Sequence, residues 1–304
     1  MMRFTTFYSY QNSVNYFNNA MGRGFDLNEH ISAGMANMRP SDAPAKASTA
    51  VQLQTALGRI SQFEAARTGV KASLSFEETT LNGVVNNITL AKSSIVKAGN
   101  ADMMSQSDRD TMAQELQSYR DTLMSLANTR DSNGNYIFSG FKSDTPAFAA
   151  DGTYQGSNRC SSAEIEDGYS VALGHTGDKV FSNGSDNVFD ALDQAIAALQ
   201  NGNIDQSTLH NALDKAGSVM DSMLDNVATV RSDLGSTLKT IDDLSASAST
   251  NTINIQKRLS ETVGNDPKAQ VGMLSQQNMA QYSLQASTMA FQSMNSMNLF
   301  NLLK

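Results

Sequence analysis

The side chains best suited to hold a metal or attack an electrophile are few in this sequence: three histidines, His30, His175 and His210, and one cysteine, Cys160. A zinc site needs several such ligands at short, regular spacings. Here the histidines fall in separate segments with no Cys or carboxylate cluster at ligand spacing, so they read as surface or satisfied core histidines. His175, within Gly174-His175-Thr176-Gly177, reads as a turn residue. Cys160 lies in Asn158-Arg159-Cys160-Ser161-Ser162 with no histidine positioned by the sequence to activate it, so it reads as an inert thiol. Glu77-Glu78 and Asp242-Asp243 are adjacent carboxylates on expected helices, where neighbouring side chains point ~100° apart, so neither is a facing acid–base pair. Both read as solvated helix surface. Gly22-Arg23-Gly24 lacks the preceding strand and the third glycine of a dinucleotide loop. Asn87-Ile88-Thr89 and Asn183-Gly184-Ser185 match the glycan acceptor tripeptide, a pattern common by chance. The residues thus point to no enzyme, with no catalytic, cofactor or metal residues expected.

What must be positioned, then, is surface rather than chemistry. The chain has 304 residues and a net charge of -8, with no Lys/Arg run, which argues against a nucleic-acid partner. No stretch of ~18 apolar residues is present to span a membrane. The N-terminus has no apolar run of the secretory type. A single Cys forms no disulfide framework. Sixteen Met against only 17% charged residues describes a weakly charged surface rich in adaptable apolar side chains.

Four prolines, Pro40, Pro44, Pro146 and Pro267, leave two long intervals free of a strong breaker. After the cap residues Ser41-Asp42, a 3-4 spacing runs Leu53, Ala56, Ile60, Phe63, Arg67, Val70, Leu74, Glu77, Leu81, Val84, Ile88, Ala91, Ile95, Ala98, a long helix of coiled-coil type. A second helix begins at Ser107-Asp108-Arg109-Asp110, with the seam Met112, Leu116, Tyr119, Leu123, Leu126. From about 141 to 184 helical spacing disappears. Tyr136-Ile137-Phe138, Glu164-Ile165-Glu166, Tyr169 to Leu173 and Lys179-Val180-Phe181 are strand candidates. Helical spacing resumes at Val188, Leu192, Ile196, Leu199, and a last long seam runs Leu213, Ala216, Met220, Met223, Val227, Val230, Leu234, Thr237, Ile241, Leu244. The two ends carry apolar seams on Asn/Gln/Ser-rich helices: Phe7, Tyr10, Val14, Phe17 and Met21 at one, Met279, Tyr282, Ala286, Met289, Met294, Met297 and Phe300 at the other, followed by Leu302 and Leu303. A lone apolar stripe on a weakly charged helix must find a partner.

The expected architecture is mainly α: a long antiparallel, coiled-coil-like helical rod built from both halves of the chain, with a small β-rich domain inserted mid-chain. Its expected segments are an N-terminal inner helix (1–40) pairing with a C-terminal one (268–304), rod helices at 41–141 and 185–267, and the β-rich outer domain at 142–184.

Several segments resemble the flagellin family. Ile31-Ser32-Ala33-Gly34 followed by Met38-Arg39-Pro40-Ser41-Asp42-Ala43-Pro44-Ala45 is similar to that family's link between terminal helix and rod. Asn135 to Lys142 resembles the turn out of the rod in its hook–filament junction members, Gly174-His175-Thr176-Gly177 a motif of their outer domain, and Thr229 to Gly235 the family's C-terminal rod motif. The tail Ser296 to Lys304 resembles the apolar end of these axial proteins. The resemblance implies an extracellular structural subunit of the bacterial flagellum, exported by the flagellar type III apparatus without a cleaved signal peptide. It implies as partners an export chaperone, the first hook-associated protein at the hook tip, flagellin, and further copies of the chain in a ring. The residues expected to make the assembly contacts are Phe7, Val14, Phe17, Met21, Met279, Tyr282, Met289, Met294, Met297, Phe300, Leu302 and Leu303. The alternatives are a flagellin-like filament subunit and a cytoplasmic helical chaperone or signalling protein.

Overall fold

The structure, a computed structural model, describes residues 2–99, 105–183 and 186–302; side chains are described for residue 8 and for 10–99, 105–182 and 187–293. Within these the elements run α1 (Met2–Ala33), α2 (Pro44–Gly99), α3 (Gln106–Ala127), β1 (Ser162–Glu166), β2 (Tyr169–Ala172), α4 (Gly177–Phe181), β3 (Ser182–Asn183), β4 (Asp186–Asn187), α5 (Val188–Gln200), α6 (Gln206–Val263) and α7 (Pro267–Leu302). The mainly α expectation, with a small antiparallel sheet between two helical stretches, is met. By contact the chain forms two compact units, Met1–Ile60 with Ser249–Lys304, and Ser61–Ala248.

In the Ser61–Ala248 unit the expected seams are the core. Val70, Leu74, Leu81, Val84, Ile88, Ala91, Ile95 and Ala98 of α2 are buried, as are Leu213, Ala216, Met220, Met223, Val227, Val230, Leu234 and Ile241 of α6. Two cross-helix ion pairs, Lys71 with Asp242 and Lys92 with Asp221, set their direction. A step of 21 residues up α2, from Lys71 to Lys92, is matched by 21 down α6, from Asp242 to Asp221, so the helices are antiparallel and in constant register. Ser105 caps α3 in a reciprocal box with Asp108, two orphan donors satisfied by two side chains. Leu116 and Leu123 of α3 are buried as expected. On α5, Val188, Leu192, Ile196 and Leu199 are buried, and Arg120 of α3 grips Asp193 through two nitrogens at 2.7 and 2.9 Å.

Between α3 and α5 the chain is turn-rich. β1 and β2 pair antiparallel, where alternation marks two strands. Two other strand expectations are corrected. Lys179-Val180-Phe181 is the end of α4, with Val180 and Phe181 facing inward; a short apolar run cannot by itself separate strand from helix. Tyr136-Ile137-Phe138 makes a lone bridge, Tyr136 to Arg130, because tight turns with positive-φ glycines at Gly134 and Gly140 flank it. Phe138 instead joins Phe148, Phe181 and Phe189 in a buried aromatic cluster. Gly177 is needed there, since a Cβ on it would stand 2.7 Å from the Phe148 ring.

In the other unit α1 packs against α7. Gly264, at φ +71, ends α6, and its carbonyl accepts from Ala36 N–H at 3.1 Å. A Cβ on Gly264 would lie 2.5 Å from that of Ala36, so the close approach of the 35–43 link to the end of α6 depends on glycine. Pro44 and Pro267 each open a helix at its first residue, where the missing N–H costs nothing. The Asp266 carboxylate accepts from Lys268 N–H at 3.0 Å and Ala269 N–H at 3.1 Å, capping α7.

Candidate assembly surface

α1 and α7 run antiparallel: the Tyr10 and Phe291 rings are 5.6 Å apart, and further along Gln277 donates to Asn28 at 3.4 Å. Val14 and Phe17, both expected contacts, are half-buried and line a groove with Tyr10, Thr288 and Phe291. Met21, on the same helix, is more exposed. The expected α7 residues lie elsewhere. Met279 and Met289 are exposed, and Tyr282 is 72% exposed, on the side of the helix away from α1. The side facing α1 carries Met273, Ala280, Leu284 and Phe291 instead. Sequence reasoning passed over that face because Gln277 and Ser287 interrupt its spacing, while the Met and Tyr of the other face draw the eye. The side chains of Phe7, Met294, Met297, Phe300 and Leu302, and residue Leu303, lie outside the described residues.

So α7 has two apolar faces. One is covered within the chain. The other bears Val271, Leu274, Met279, Tyr282 and Met289, all exposed; α1 also exposes Tyr8, Tyr16 and Phe25, but these are spread around the helix rather than on one face. An apolar helix with residues all round is one that is buried in its working state. Burying one such side chain is worth ~1.5–3 kcal/mol.

Polar groups do other work, at the place where the turn-rich segment meets the long helices. Arg67 and Glu77 are the two charged positions within the α2 seam, and both are buried. Arg67 donates to the Ile165 carbonyl of β1 at 2.9 Å and to Ser245 Oγ of α6 at 3.1 Å, and pairs with Glu64 at 2.6 Å. Ser73 donates to the Leu173 carbonyl at 2.8 Å. Glu77 accepts from the His175 main-chain N–H at 3.1 Å and faces its ring. The reading of Glu77 as solvated surface is therefore corrected: a carboxylate at a seam position docks the inserted chain. The Asp242-Asp243 reading holds, since both are exposed. Cys160 lines a small cleft of about 160 Å³ with Glu77, Ser73 and Asp131. Burial first, and then the Glu77 charge, push its thiol up to about 11, which keeps it protonated and unreactive near neutral pH. No cluster of three metal-ligating side chains occurs among the described residues.

Comparison with known proteins agrees with this geometry. The model of the bacterial flagellin N-terminal helical region matches residues 4–143. The chain is 36% identical, over all of both chains, to flagellar hook-associated protein 3 of Escherichia coli K12. It is 34% identical, over 99% of each, to that of Salmonella typhimurium. A flagellar junction protein from Legionella pneumophila shares the fold at TM-score 0.58 and 17% identity, covering 71% of this chain and 99% of that one.

Proposed function

The chain belongs to the flagellar hook-associated protein 3 family, and from that membership we propose that it is the structural subunit that joins the hook tip to the filament, acting by helix association alone and catalysing nothing. The carrying observation is the second apolar face of α7, which the chain itself leaves uncovered, together with the exposed Tyr8, Tyr16 and Phe25 of α1. In this reading, copies of the chain form a ring. The outer face of α7 and the exposed aromatics of α1, with the tail residues Met294, Met297, Phe300, Leu302 and Leu303, are buried against neighbouring copies, the first hook-associated protein below and flagellin above. The acidic, weakly charged surface and the absence, among the described residues, of a helix long and apolar enough to cross a membrane suit a subunit handed by a chaperone to the flagellar export apparatus and used outside the cell. The apolar burial on assembly offsets the cost of ordering the ends.

The test is reconstitution. A variant ending at Thr288 is expected to keep the melting transition of the Ser61–Ala248 unit, yet to fail to bind purified hook-tip protein and to seed flagellin under the electron microscope. Normal filaments grown on the truncated chain would overturn the role given to the tail.

A further inference from the structure

His175 is a histidine whose two ring nitrogens both meet acid. Nδ1 lies 3.1 Å from Glu77 Oε1 on α2, and Nε2 lies 3.0 Å from Asp233 Oδ2 on α6. An ionised carboxylate can only accept a hydrogen bond, and a neutral imidazole offers one N–H and one lone pair. Only the doubly protonated ring satisfies both contacts, so a single cation ties the segment between β2 and α4 to both long helices at once.

The stakes of that charge are set by Glu77. It is 2% exposed, and its second oxygen, Oε2, has no partner among the described residues. A neutral ring keeps one N–H for two carboxylates, so one of them must face a nitrogen lone pair; with the proton held at Nδ1 for the buried Glu77, the tie to Asp233 on α6 is the one lost. We propose that His175 is a proton-controlled latch: charged, it clamps the inserted segment onto α2 and α6, and uncharged, it lets that segment open locally while the helices stay packed.

The other ionisable groups around the ring are Asp178 and Lys179 on α4, Glu78 on α2, Arg231 on α6 4.0 Å from Glu78, and Cys160 beside Glu77. Lys179 lines the same cleft as His175 and Asp233. Burial also lowers the ring's pKa, but the hydrogen bonds and charges of Glu77 and then Asp233 outweigh it, and the net shift is upward. A raised pKa in the folded state makes the latch fully present below the unfolded value of about 6.5 and lost as pH rises through the folded value. The segment should loosen on the alkaline side.

The experiment uses the full chain. Ring proton shifts of His175 are followed by NMR against pH, with amide exchange of residues 162–173 and 213–234 each corrected for intrinsic rate. The expected result is a His175 midpoint above about 6.5, with protection of 162–173 falling across that same transition while 213–234 stays protected. Asp233→Asn, at an exposed position, should lower the midpoint without unfolding the chain, and His175→Gln should make the protection of 162–173 flat with pH. A midpoint at or below the ordinary value, or protection of 162–173 that tracks 213–234 at every pH, would overturn the latch.

Discussion

α2 with α6 in the Ser61–Ala248 unit, and α1 with α7 in the other, are both antiparallel helix pairs of low-charge sequence. They treat their apolar residues differently. In the first pair the seam residues are sealed, from Val70 to Ala98 against Leu213 to Ile241, and lysine–aspartate pairs decorate the outside. In the second pair one seam is shared and another, on α7, with Tyr282 72% and Met289 68% exposed, faces outward. A helix with one apolar stripe is finished once that stripe is covered; a helix with two needs a second partner. The same composition thus yields a self-sufficient core in one place and an uncovered apolar face in the other. What separates them is the second apolar face of α7.

The largest expected effect separates the two directly. Ile88 is fully buried, and Ile88→Ala should cost ~2–5 kcal/mol in the denaturation of the Ser61–Ala248 unit. Tyr282→Ala, which truncates a larger side chain on the outward face, should move that transition by no more than about 0.5 kcal/mol. It should instead weaken binding to the hook-tip protein. Urea melts of both variants check this, and equal losses would show that the outward face is part of the folding core.

A middle-sized effect tests the polar positions of the sealed pair. Arg67 reaches β1, α6 and Glu64 from within the seam. Arg67→Met keeps most of the volume but strands the Ile165 carbonyl, for an expected loss of ~1–3 kcal/mol. The loss should appear first as faster amide exchange in β1 and β2, ahead of α2 and α6. A methionine variant as protected there as the parent would mean that the arginine merely fills space.

These positions also show what the sequence could and could not disclose. The 3-4 spacing located α2, α3, α5 and α6 because burial on a helix follows its period, and Pro44 with its Ser41-Asp42 cap residues marked a helix start. Glu77 looked like surface because a carboxylate beside another carboxylate usually is. Its partner is 98 residues away in sequence, and no periodicity encodes a long-range hydrogen bond. Val180-Phe181 looked like a strand because two apolar residues fit either period. On α7 the expected Met and Tyr are the outward face and the packed face was missed, since polar Gln277 and Ser287 can sit at a half-buried boundary without breaking it. Local periodicity was legible; which of two faces meets which partner was not.

The smallest expected effect concerns the outside of the sealed pair. Lys71 Nζ lies 2.5 Å from Asp242 Oδ1, but the two side chains are 50% and 57% exposed. Water screens such a pair, and holding two long side chains in one geometry offsets part of the attraction, so it is worth ~0.2–1 kcal/mol. A double-mutant cycle of Lys71→Ala and Asp242→Ala should give a coupling in that range, shrinking toward zero as salt rises to 1 M, where the Debye length falls to about 3 Å. The contrast with Ile88 is the point of the measurement. If the α2–α6 register is held by its apolar seam, removing the ion pair leaves it intact, and the contacts of Met223 and Val230 should be unchanged in nuclear Overhauser spectra of the double variant. A coupling several times larger, or a shift of register, would place the antiparallel alignment in the charges and make the sealed pair as dependent on its surface as the terminal pair is proposed to be on its neighbours.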